Sequence, residues 1–274
     1  MFQAASASGD QANRGSAVSS ADAAKIRVMS WNLDGLDNVS LNTRITGAIS
    51  EILKSNPDVV FLQEIVPKSY DVIQEKMGAA FQLFPAGATD YFTVMLLNKK
   101  TVWVDRKEVK PFYTSLMLRK LQIADVNIKG IDFRLMTSHL ESTRDHARER
   151  KRQLDMCFSE MQRADSKYNV IFGGDLNLGS ADDKTLVLPS GVSDLWEMTG
   201  FRNEAKFTWD MKHNDNKRMN GTPRCRFDRM YFKKASGTKV KPEYFELVGL
   251  ERVRGSSRFA SDHWGILSHF RIQD

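Results

Sequence analysis

Six short polar motifs stand where hydrophobic runs of this chain stop or begin. They are rich in carboxylate, amide and imidazole side chains: WNLD (31–34), QE (63–64), SHLES (138–142), GDLN (174–177), RFDR (226–229) and SDH (261–263). Side chains of these types bind divalent cations, hold phosphate oxygens and transfer protons. Because functional residues concentrate in loops and strand ends carried by a rigid scaffold, we expect the motifs to converge on one edge of the fold.

Two of the motifs suggest chemistry on a phosphate ester. Glu64 follows the apolar run DVVFL. It is either a solvated or paired strand end, or a hard oxygen ligand for Mg²⁺, which takes one or two carboxylates together with waters and substrate phosphate. In GDLN, Asp175 could orient or deprotonate a water while Asn177 bonds a phosphate oxygen. The alternative is an Asx turn in which Asp175 only holds the loop.

The C-terminal motif places an aspartate directly before a histidine. His263 is either a structural residue packed under the last sheet or a donor to the phosphate in the transition state, with Asp262 or Asp228 fixing its tautomer. Neighbouring residues of a regular strand point to opposite faces, which would keep Asp262 and His263 apart. This favours a strand that begins after the pair, or Asp228 as the orienting partner.

The elements that must position these motifs alternate unevenly along the chain. Apolar residues at helical spacing predict helices over 41–56, 67–78 and 144–163. Strand patterns occupy 25–32, 58–64, 81–86, 90–99, 102–109, 119–128, 130–140, 168–174, 224–232, 243–250 and 263–272. Runs of adjacent strands broken by few helices predict an α/β protein with two sheets packed face to face and helices outside.

Composition indicates a single folded domain. The 274 residues (31.2 kDa) are 41% hydrophobic and 27% charged, as in ordinary soluble proteins. No apolar run approaches the roughly 18 residues of a membrane span, and Cys157 and Cys225 fit a reducing compartment, so we expect a soluble intracellular protein without membrane contact. Residues 1–25 are small and polar, which predicts a disordered tail before one domain over 26–274.

In their order along the chain, the motifs resemble the endonuclease/exonuclease/phosphatase superfamily. Its signature is an Asn ending the first strand, a Glu ending the second, a GDxN loop and a C-terminal SDH, supplied here by Asn32, Glu64, 174–177 and 261–263. The resemblance covers 26–272. It implies a four-layer α/β sandwich with two mixed β-sheets and Mg²⁺-dependent phosphodiester or phosphomonoester hydrolysis, with Mn²⁺ able to substitute.

Further motifs resemble one branch of this superfamily, the enzymes that hydrolyse 5′-phosphotyrosyl bonds at DNA ends. They are WNLDGLD, TSHLESTR, TWD and SDHWG. The resemblance implies a monomeric DNA-repair enzyme, nuclear and also cytoplasmic, that frees DNA 5′ ends from tyrosyl or topoisomerase II adducts and leaves a 5′-phosphate. The alternatives are another nuclease or phosphatase of the superfamily, acting on abasic DNA or on inositol or lipid phosphates, and a catalytically idle adaptor.

The same resemblance implies a role for each matching position at the reacting phosphate. Asp34 and Glu64 would bind Mg²⁺ directly or through water, and Asp175 would be the general base. His263, with Asp262 beside it, and Asn32 would stabilise the pentavalent phosphate.

Other matching positions are expected to hold the DNA. The 5′-phosphate would contact His139, Ser142 and Asn177, the DNA end would contact Tyr91, Trp209 and Phe227, and Arg144 would lie near the scissile phosphate. Trp209 stands in a polar stretch, which predicts an exposed ring.

The net charge of +6 and the isoelectric point of about 9.2 favour a polyanionic partner. Basic residues flank the proposed site: Arg144, Arg148, Arg150, Lys151, Arg152, Arg224, Arg226 and Arg229. We hypothesise that they line the approach of the DNA strand.

Overall fold

Fourteen strands and five α-helices are present in the computed structural model, which describes residues 23–88 and 90–273. In chain order the strands are β1 (Lys25–Asn32), β2 (Val59–Ile65), β3 (Phe81–Pro85), β4 (Phe92–Asn98), β5 (Val102–Pro111), β6 (Lys120–Ile128), β7 (Ile131–Ser138), β8 (Asn169–Asp175), β9 (Val192–Asp194), β10 (Trp209–Asp210), β11 (Arg224–Cys225), β12 (Asp228–Lys233), β13 (Val240–Val248) and β14 (Gly265–Ile272). The helices are α1 (Leu41–Ser55), α2 (Pro67–Met77), α3 (Ala147–Arg163), α4 (Ser180–Asp183) and α5 (Leu195–Met198).

The strands form two six-stranded sheets and a small two-stranded one. Sheet I has the order β13-β14-β1-β2-β4-β3, and sheet II the order β5-β6-β7-β8-β12-β9. Each contains a parallel pair, β1 with β2 and β7 with β8, among antiparallel neighbours. Both sheets are therefore mixed, as predicted.

Three apolar clusters hold the layers together. The first lies between the two sheets and includes Phe61 from sheet I and Phe133 from sheet II. In the second, the apolar stripe of α1 packs with α2 on the outer face of sheet I. In the third, α3 packs on sheet II through Leu154 and Phe158. The order helices, sheet, sheet, helix confirms the predicted four-layer α/β sandwich.

Most predicted elements are found, with three differences. The long helix begins at Ala147 rather than at Arg144, because residues 141–146 form an irregular segment of bends and turns instead of a first helical turn. The strand predicted over 224–232 is divided, since β11 pairs with β10 whereas β12 joins sheet II. Residues 1–22 of the predicted disordered tail lie outside the described residues, and Lys25 already belongs to β1.

Every helix among the described residues is too short or too polar to span a membrane.

Candidate active site

The carboxyl ends of the two parallel strand pairs meet at one edge of the sandwich. Asn32 ends β1 and Glu64 lies near the end of β2, while His139 directly follows β7 and Asp175 ends β8. Sheet I thus contributes Asn32 and Glu64, and sheet II contributes His139 and Asp175. The four motifs that the sequence placed at strand ends do converge.

Two antiparallel strands bring further residues to the same edge from their starts. Strand β12 runs antiparallel to β8, and its first residue Asp228 pairs with Asp175. Strand β14 runs antiparallel to β1 and begins at Gly265, so His263 precedes it. This fits the expectation that the last strand starts only after the Asp262–His263 pair.

A hydrogen bond between Asn32 and Asp175 joins the two sheets at this edge. Asn32 Nδ2 donates to Asp175 Oδ2 over 3.0 Å, and Asn32 Oδ1 accepts from the backbone N–H of Asp34 over 2.9 Å. The other carboxylate oxygen, Asp175 Oδ1, accepts from the backbone N–H of Asn177. Asp175 therefore closes the Asx turn predicted for GDLN with one carboxylate oxygen and faces the site with the other. The turn and a place in the site are thus compatible.

The neighbouring Asn177 takes the left-handed conformation at φ 51°. Its side-chain Nδ2 donates to the carbonyl of Leu140 over 3.1 Å, which ties the GDLN loop to the SHLES segment.

Glu64 reaches the site through an irregularity in β2. The pairing with β4 shifts register between Leu62 and Ile65, and Glu64 has φ 55°. Bulges of this kind redirect a side chain that a regular strand would point elsewhere. Gly35 permits this backbone course, since a Cβ there would lie 2.0 Å from the carbonyl oxygen of Glu64.

Burial raises the pKa of the Glu64 carboxyl to about 7, against the opposing effects of a hydrogen bond from Asn32 and of the nearby His263. A carboxyl that burial keeps partly protonated at neutral pH gains most from a cation that compensates its charge.

His263 is oriented by Asp228. Its Nδ1 donates to Asp228 Oδ2 over 2.8 Å, and its Nε2 lies 3.8 Å from Asp175 Oδ2. Burial alone would lower the pKa of His263, but the carboxylates of Asp228 and Asp175 raise it well above its ordinary value. Asp262 instead accepts from Trp209 Nε1 over 3.1 Å. Of the two partners that the sequence left open, the structure places Asp228 beside the imidazole.

His139 has the opposite electrostatic surroundings. Its Nε2 lies 3.4 Å from Asp175 Oδ2 and 4.0 Å from Glu64 Oε1, while its Nδ1 lies 2.9 Å from Arg119 Nη1. Burial and the positive charge of Arg119 lower the pKa of His139 to about 3. The site thus combines a neutral histidine with a protonated one. Sequence analysis gave Arg119 no role, because no motif surrounds it.

Among the residues that the structure describes, two groups of side chains bring possible ligand atoms within 4.8 Å of one another. One is Glu64, His139 and Asp175, and the other is Asp175, Asp228 and His263. The second suits a cation poorly, because the raised pKa of His263 keeps its ring protonated. The first contains two carboxylates and a histidine with an ordinarily neutral ring. Carboxylate oxygens are the ligands that hard divalent cations prefer, so within this group the Glu64 carboxylate fits such an ion, whereas His139 Nδ1 already faces Arg119.

Asp34, the second predicted metal ligand, lies apart from this group. Lys217 Nζ approaches its two carboxylate oxygens at 2.9 and 2.8 Å, and Arg44 Nη1 lies 4.0 Å away. Burial and the charge of Asp262 raise the pKa of Asp34 to about 6 despite the lysine. Its direct contact is this ion pair, and its role at the metal stays a prediction. Lys217 lies in a loop without a recognisable motif, so sequence analysis did not find it.

The predicted aromatic residues lie on two sides of the histidines. The Phe227 ring is 5.5 Å from the Trp209 ring and 6.3 Å from that of His263, between centroids. Tyr91 packs edge-on against His139 at 6.2 Å. Trp209 is half-buried, so its predicted exposure is wrong. Phe227 packs beside its ring and Asp262 accepts from its indole N–H.

The remaining phosphate and DNA positions lie beside the site on the SHLES segment. Ser142 is half-buried and its Oγ lies 3.2 Å from Met117 Sδ, while Arg144 is exposed. Neither is engaged with the central carboxylates, and both stay predicted substrate contacts.

Arg226 does not lie on an open DNA path as predicted. Its Nη1 donates to Asp194 Oδ2 over 2.8 Å, and its guanidinium lies 4.7 Å from the Trp196 ring centroid. The side chains of Arg226 and Asp194 are 10% and 3% exposed. Two further arginines of the hypothesis, Arg150 and Arg229, are also buried, where they bond carbonyls and aspartates. Local sequence could not reveal these partners, because they are distant in the chain.

Replacement of Arg226 by alanine is expected to lower the free energy of unfolding by about 3–5 kcal/mol, because Asp194 would be left buried without a compensating charge. Urea unfolding measures the change. Arg148→Ala, at an exposed arginine, is the control and should stay within about 0.5 kcal/mol of the parent chain. An unaltered unfolding midpoint for Arg226→Ala would contradict the buried ion pair.

The known proteins that this chain resembles agree with one another in family. Residues 29–263 match the model of the Endonuclease/Exonuclease/phosphatase family. Tyrosyl-DNA phosphodiesterase 2 of Gallus gallus is 41% identical over 247 residues, which are 89% of this chain and 66% of that protein. The Xenopus tropicalis protein of the same name is 39% identical over 259 residues, 94% of this chain and 69% of that protein. The chain thus spans about two thirds of the length of these curated relatives.

Solved structures of the same group superpose closely. D. rerio TDP2 complexed with single-strand DNA product has a TM-score of 0.87 at 38% identity, covering 90% of this chain and 99% of that chain. C. elegans TDP2 has a TM-score of 0.82 at 38% identity, covering 90% of this chain and 75% of that one. From the family match, the identity and the site geometry together, the chain belongs to the endonuclease/exonuclease/phosphatase family and, within it, to the tyrosyl-DNA phosphodiesterase 2 group.

Proposed function

We propose that this chain is a metal-dependent phosphodiesterase that hydrolyses 5′-phosphotyrosyl bonds at DNA ends and leaves a 5′-phosphate. The observation that carries the proposal is the meeting of Asn32, Glu64, Asp175 and His263 at one edge of the sandwich. These groups are a general base, two hydrogen-bond donors and a cation ligand, the set that hydrolysis of a phosphodiester needs. The names of the relatives support the substrate class.

Asp175 is the general base in this mechanism. Asn32 Nδ2 and the backbone N–H of Asn177 each bond one of its carboxylate oxygens, which fixes the direction of the carboxylate. It accepts a proton from the water that attacks phosphorus. A general base so positioned contributes about 10²–10⁴ in rate.

His263 and Asn32 stabilise the charge that develops on the phosphoryl oxygens. Asp228 holds Nδ1 of His263, so the Nε2–H of the imidazolium points to the side where Asp175 lies. The amide of Asn32 has a second N–H besides the one that Asp175 accepts. Preorganised donors of this kind are worth several kcal/mol when they face the developing charge.

The leaving group needs little help from an acid. A tyrosine phenolate has a conjugate-acid pKa of about 10, so the P–O bond can break without prior protonation of its oxygen. This explains why no further proton donor needs to be assigned. It also favours an aryl phosphodiester over an alkyl one as substrate.

Glu64 is the residue that we propose to hold the cation, with Asp34 contributing through water. When bound, the ion supplies Lewis-acid stabilisation of negative charge on the phosphoryl group. We propose Mg²⁺, with Mn²⁺ able to substitute, because both proposed ligands, Glu64 and Asp34, are carboxylates.

The surroundings of the site support a DNA end as the rest of the substrate. Trp209 and Phe227 present half-buried rings beside His263, and a base stacked on such a ring gains about 1–3 kcal/mol. His139, Ser142 and Asn177 border the phosphate position in this proposal, and the exposed Arg144 follows Ser142 by two residues. We extend the proposal to topoisomerase II adducts as substrates and, since these adducts arise on DNA, to a nuclear location. A monomeric state and an additional cytoplasmic location belong to the same proposal.

A substrate panel tests the activity. The chain with Mg²⁺ is expected to turn over a 5′-phosphotyrosyl oligonucleotide in preference to an abasic duplex and an inositol polyphosphate. Asp175→Asn should lower kcat by at least about 10²-fold with little change in KM, because the base acts only in the chemical step. Arg106→Ala, at an exposed residue of β5, is the control.

Preferred turnover of either other substrate would contradict the proposed specificity, and absence of all turnover in folded protein would favour an adaptor.

The affinity for Mg²⁺ is expected to rise from about pH 6 to about pH 8. Below about pH 7 the Glu64 carboxyl keeps its proton, and the stability that this proton contributes to the metal-free protein is lost as the pH rises through that value. A cation requires the deprotonated form, so its binding releases a proton over the same range. Isothermal titration calorimetry measures affinity and proton release.

Glu64→Gln removes both the proton and the charge, so it should weaken Mg²⁺ binding and abolish this pH dependence. An affinity that stays constant from about pH 6 to about pH 8 in the parent chain would show that Glu64 is not the titrating ligand.

A further inference from the structure

We infer that Arg119 is a positioning residue that fixes the tautomer and direction of His139, so that the imidazole presents an N–H to the bound phosphate. This inference rests on the proposed function, in which His139 borders the phosphate. It assigns a purpose to a buried arginine that lies outside every motif of the sequence, and it explains why Glu141 belongs to the SHLES segment.

The direction of the Arg119–His139 hydrogen bond follows from the chemistry of its donor. Arg119 Nη1 lies 2.9 Å from His139 Nδ1. A guanidinium has only donors and does not lose its proton in proteins, so Nδ1 must accept. In the neutral ring the hydrogen then resides on Nε2. That atom lies 3.4 Å from Asp175 Oδ2, the position beside which the substrate phosphate is proposed to bind.

Arg119 is itself held in place on several sides. Its side chain is buried, with the residue 6% exposed, and its guanidinium carbon lies 5.0 Å from the Tyr91 ring centroid. Arg119 Nη2 lies 3.5 Å from Met117 Sδ, and its backbone N–H donates to Ser115 Oγ over 2.8 Å. The guanidinium therefore has one well-defined position rather than a choice of rotamers.

The loop before Arg119 is fixed by Glu141. The carboxylate accepts from the backbone N–H groups of Leu116 and Met117 and from Ser115 Oγ, at 2.8 to 2.9 Å. Gln153 of α3 donates to the same carboxylate over 2.9 Å.

His139 and Glu141 are two residues apart. His139 faces the site, whereas Glu141 anchors the loop whose arginine orients His139. These contacts connect the loop between β5 and β6, the segment after β7, and α3.

Loss of the Arg119 side chain would change which nitrogen of the His139 ring carries the hydrogen. Without the donor at Nδ1, the hydrogen can move to that atom, and the Nε2 lone pair would then face Asp175, Glu64 and the phosphate oxygens. Each of those groups is a hydrogen-bond acceptor, so the contact changes from attractive to repulsive. His263 differs from His139 in this respect, because its Nδ1 carries a hydrogen that the Asp228 carboxylate accepts.

The tautomer of His139 is directly measurable by ¹⁵N NMR of the imidazole nitrogens in the full chain without metal or substrate, with the signals assigned by their loss in His139→Ala. We expect Nε2 protonated and Nδ1 unprotonated. In Arg119→Met the Nδ1–H form should become populated, while Arg119→Lys, which keeps a cationic donor, should retain the parent tautomer. The exposed Arg106→Met is the matched control and should change nothing.

Kinetics on the 5′-phosphotyrosyl oligonucleotide gives a second test. Arg119→Met is expected to lower kcat/KM by about 10- to 100-fold, a loss of the size seen when the hydrogen-bond partner of a metal-bound histidine is removed. Arg119→Lys should recover part of the loss. In a His139→Ala background, Arg119→Met should cause no further loss, because the residue it orients is already absent.

Two results would overturn the inference: an Nδ1–H tautomer in the parent chain, or independent, multiplicative losses from Arg119→Met and His139→Ala. The tautomer measurement needs no turnover. An Nδ1–H result would therefore refute the inference even if the phosphodiesterase activity is found, and an Nε2–H result that Arg119→Met shifts would support it even if that activity is absent.

Discussion

The hydrogen bond between Asn32 and Asp175 is the interaction on which the site depends. Asn32 ends β1 in sheet I and Asp175 ends β8 in sheet II, so this 3.0 Å contact crosses between the sheets. Apolar side chains from both inner faces fill the space behind it, and packed sheets stand about 10 Å apart. Only at the edge, where the strands end, can polar side chains from the two sheets meet. The core thus sets the separation that the catalytic groups need.

Around that contact the backbone departs from regular strand geometry. Glu64 lies at a register shift with positive φ, and Asn177 is also left-handed. Gly174 lets β8 approach β7 closely, since a Cβ there would lie 2.0 Å from the Ser138 carbonyl oxygen. Non-glycine residues in the left-handed region cost about 1–3 kcal/mol each, and such strain persists where the surroundings fix it. Here Glu64 uses such a conformation to direct its carboxyl into the site, and Asn177 uses it in the loop that holds Asp175.

The order of the motifs along the sequence predicted the fold and the central residues well. Local strand patterns end or begin at four residues that lie at the same edge: Asn32, Glu64, Asp175 and His263. Patterns of this kind can be recognised from the sequence alone. For the partner of His263 the sequence left both Asp262 and Asp228 open, and the structure places Asp228 there. Those predictions depended on local strand patterns and on the resemblance. The structure contains these strands and brings the four residues together.

What the sequence could not predict are contacts between distant segments. Arg226 looks like a DNA contact in a basic stretch, yet Asp194, 32 residues earlier, buries it. Arg119 acquires its importance from His139, and Lys217 from Asp34, 183 residues before it. Trp209 lies in a polar stretch but is half-covered by Phe227 and bonded to Asp262. The charge and polarity of a sequence stretch do not identify the distant residue that a side chain contacts in the folded protein.

The central claim is that Asn32 acts on the reaction through Asp175 as well as through the phosphate. Single-turnover rates on a 5′-phosphotyrosyl oligonucleotide for Asn32→Ala, Asp175→Ala and the double variant test it most directly. Coupled residues give losses that do not add. We predict that Asn32→Ala slows the Asp175→Ala variant by much less than it slows the parent chain, because only the contact of Asn32 with the phosphate remains to be lost. A double variant slowed by the full product of the two single effects would contradict the account.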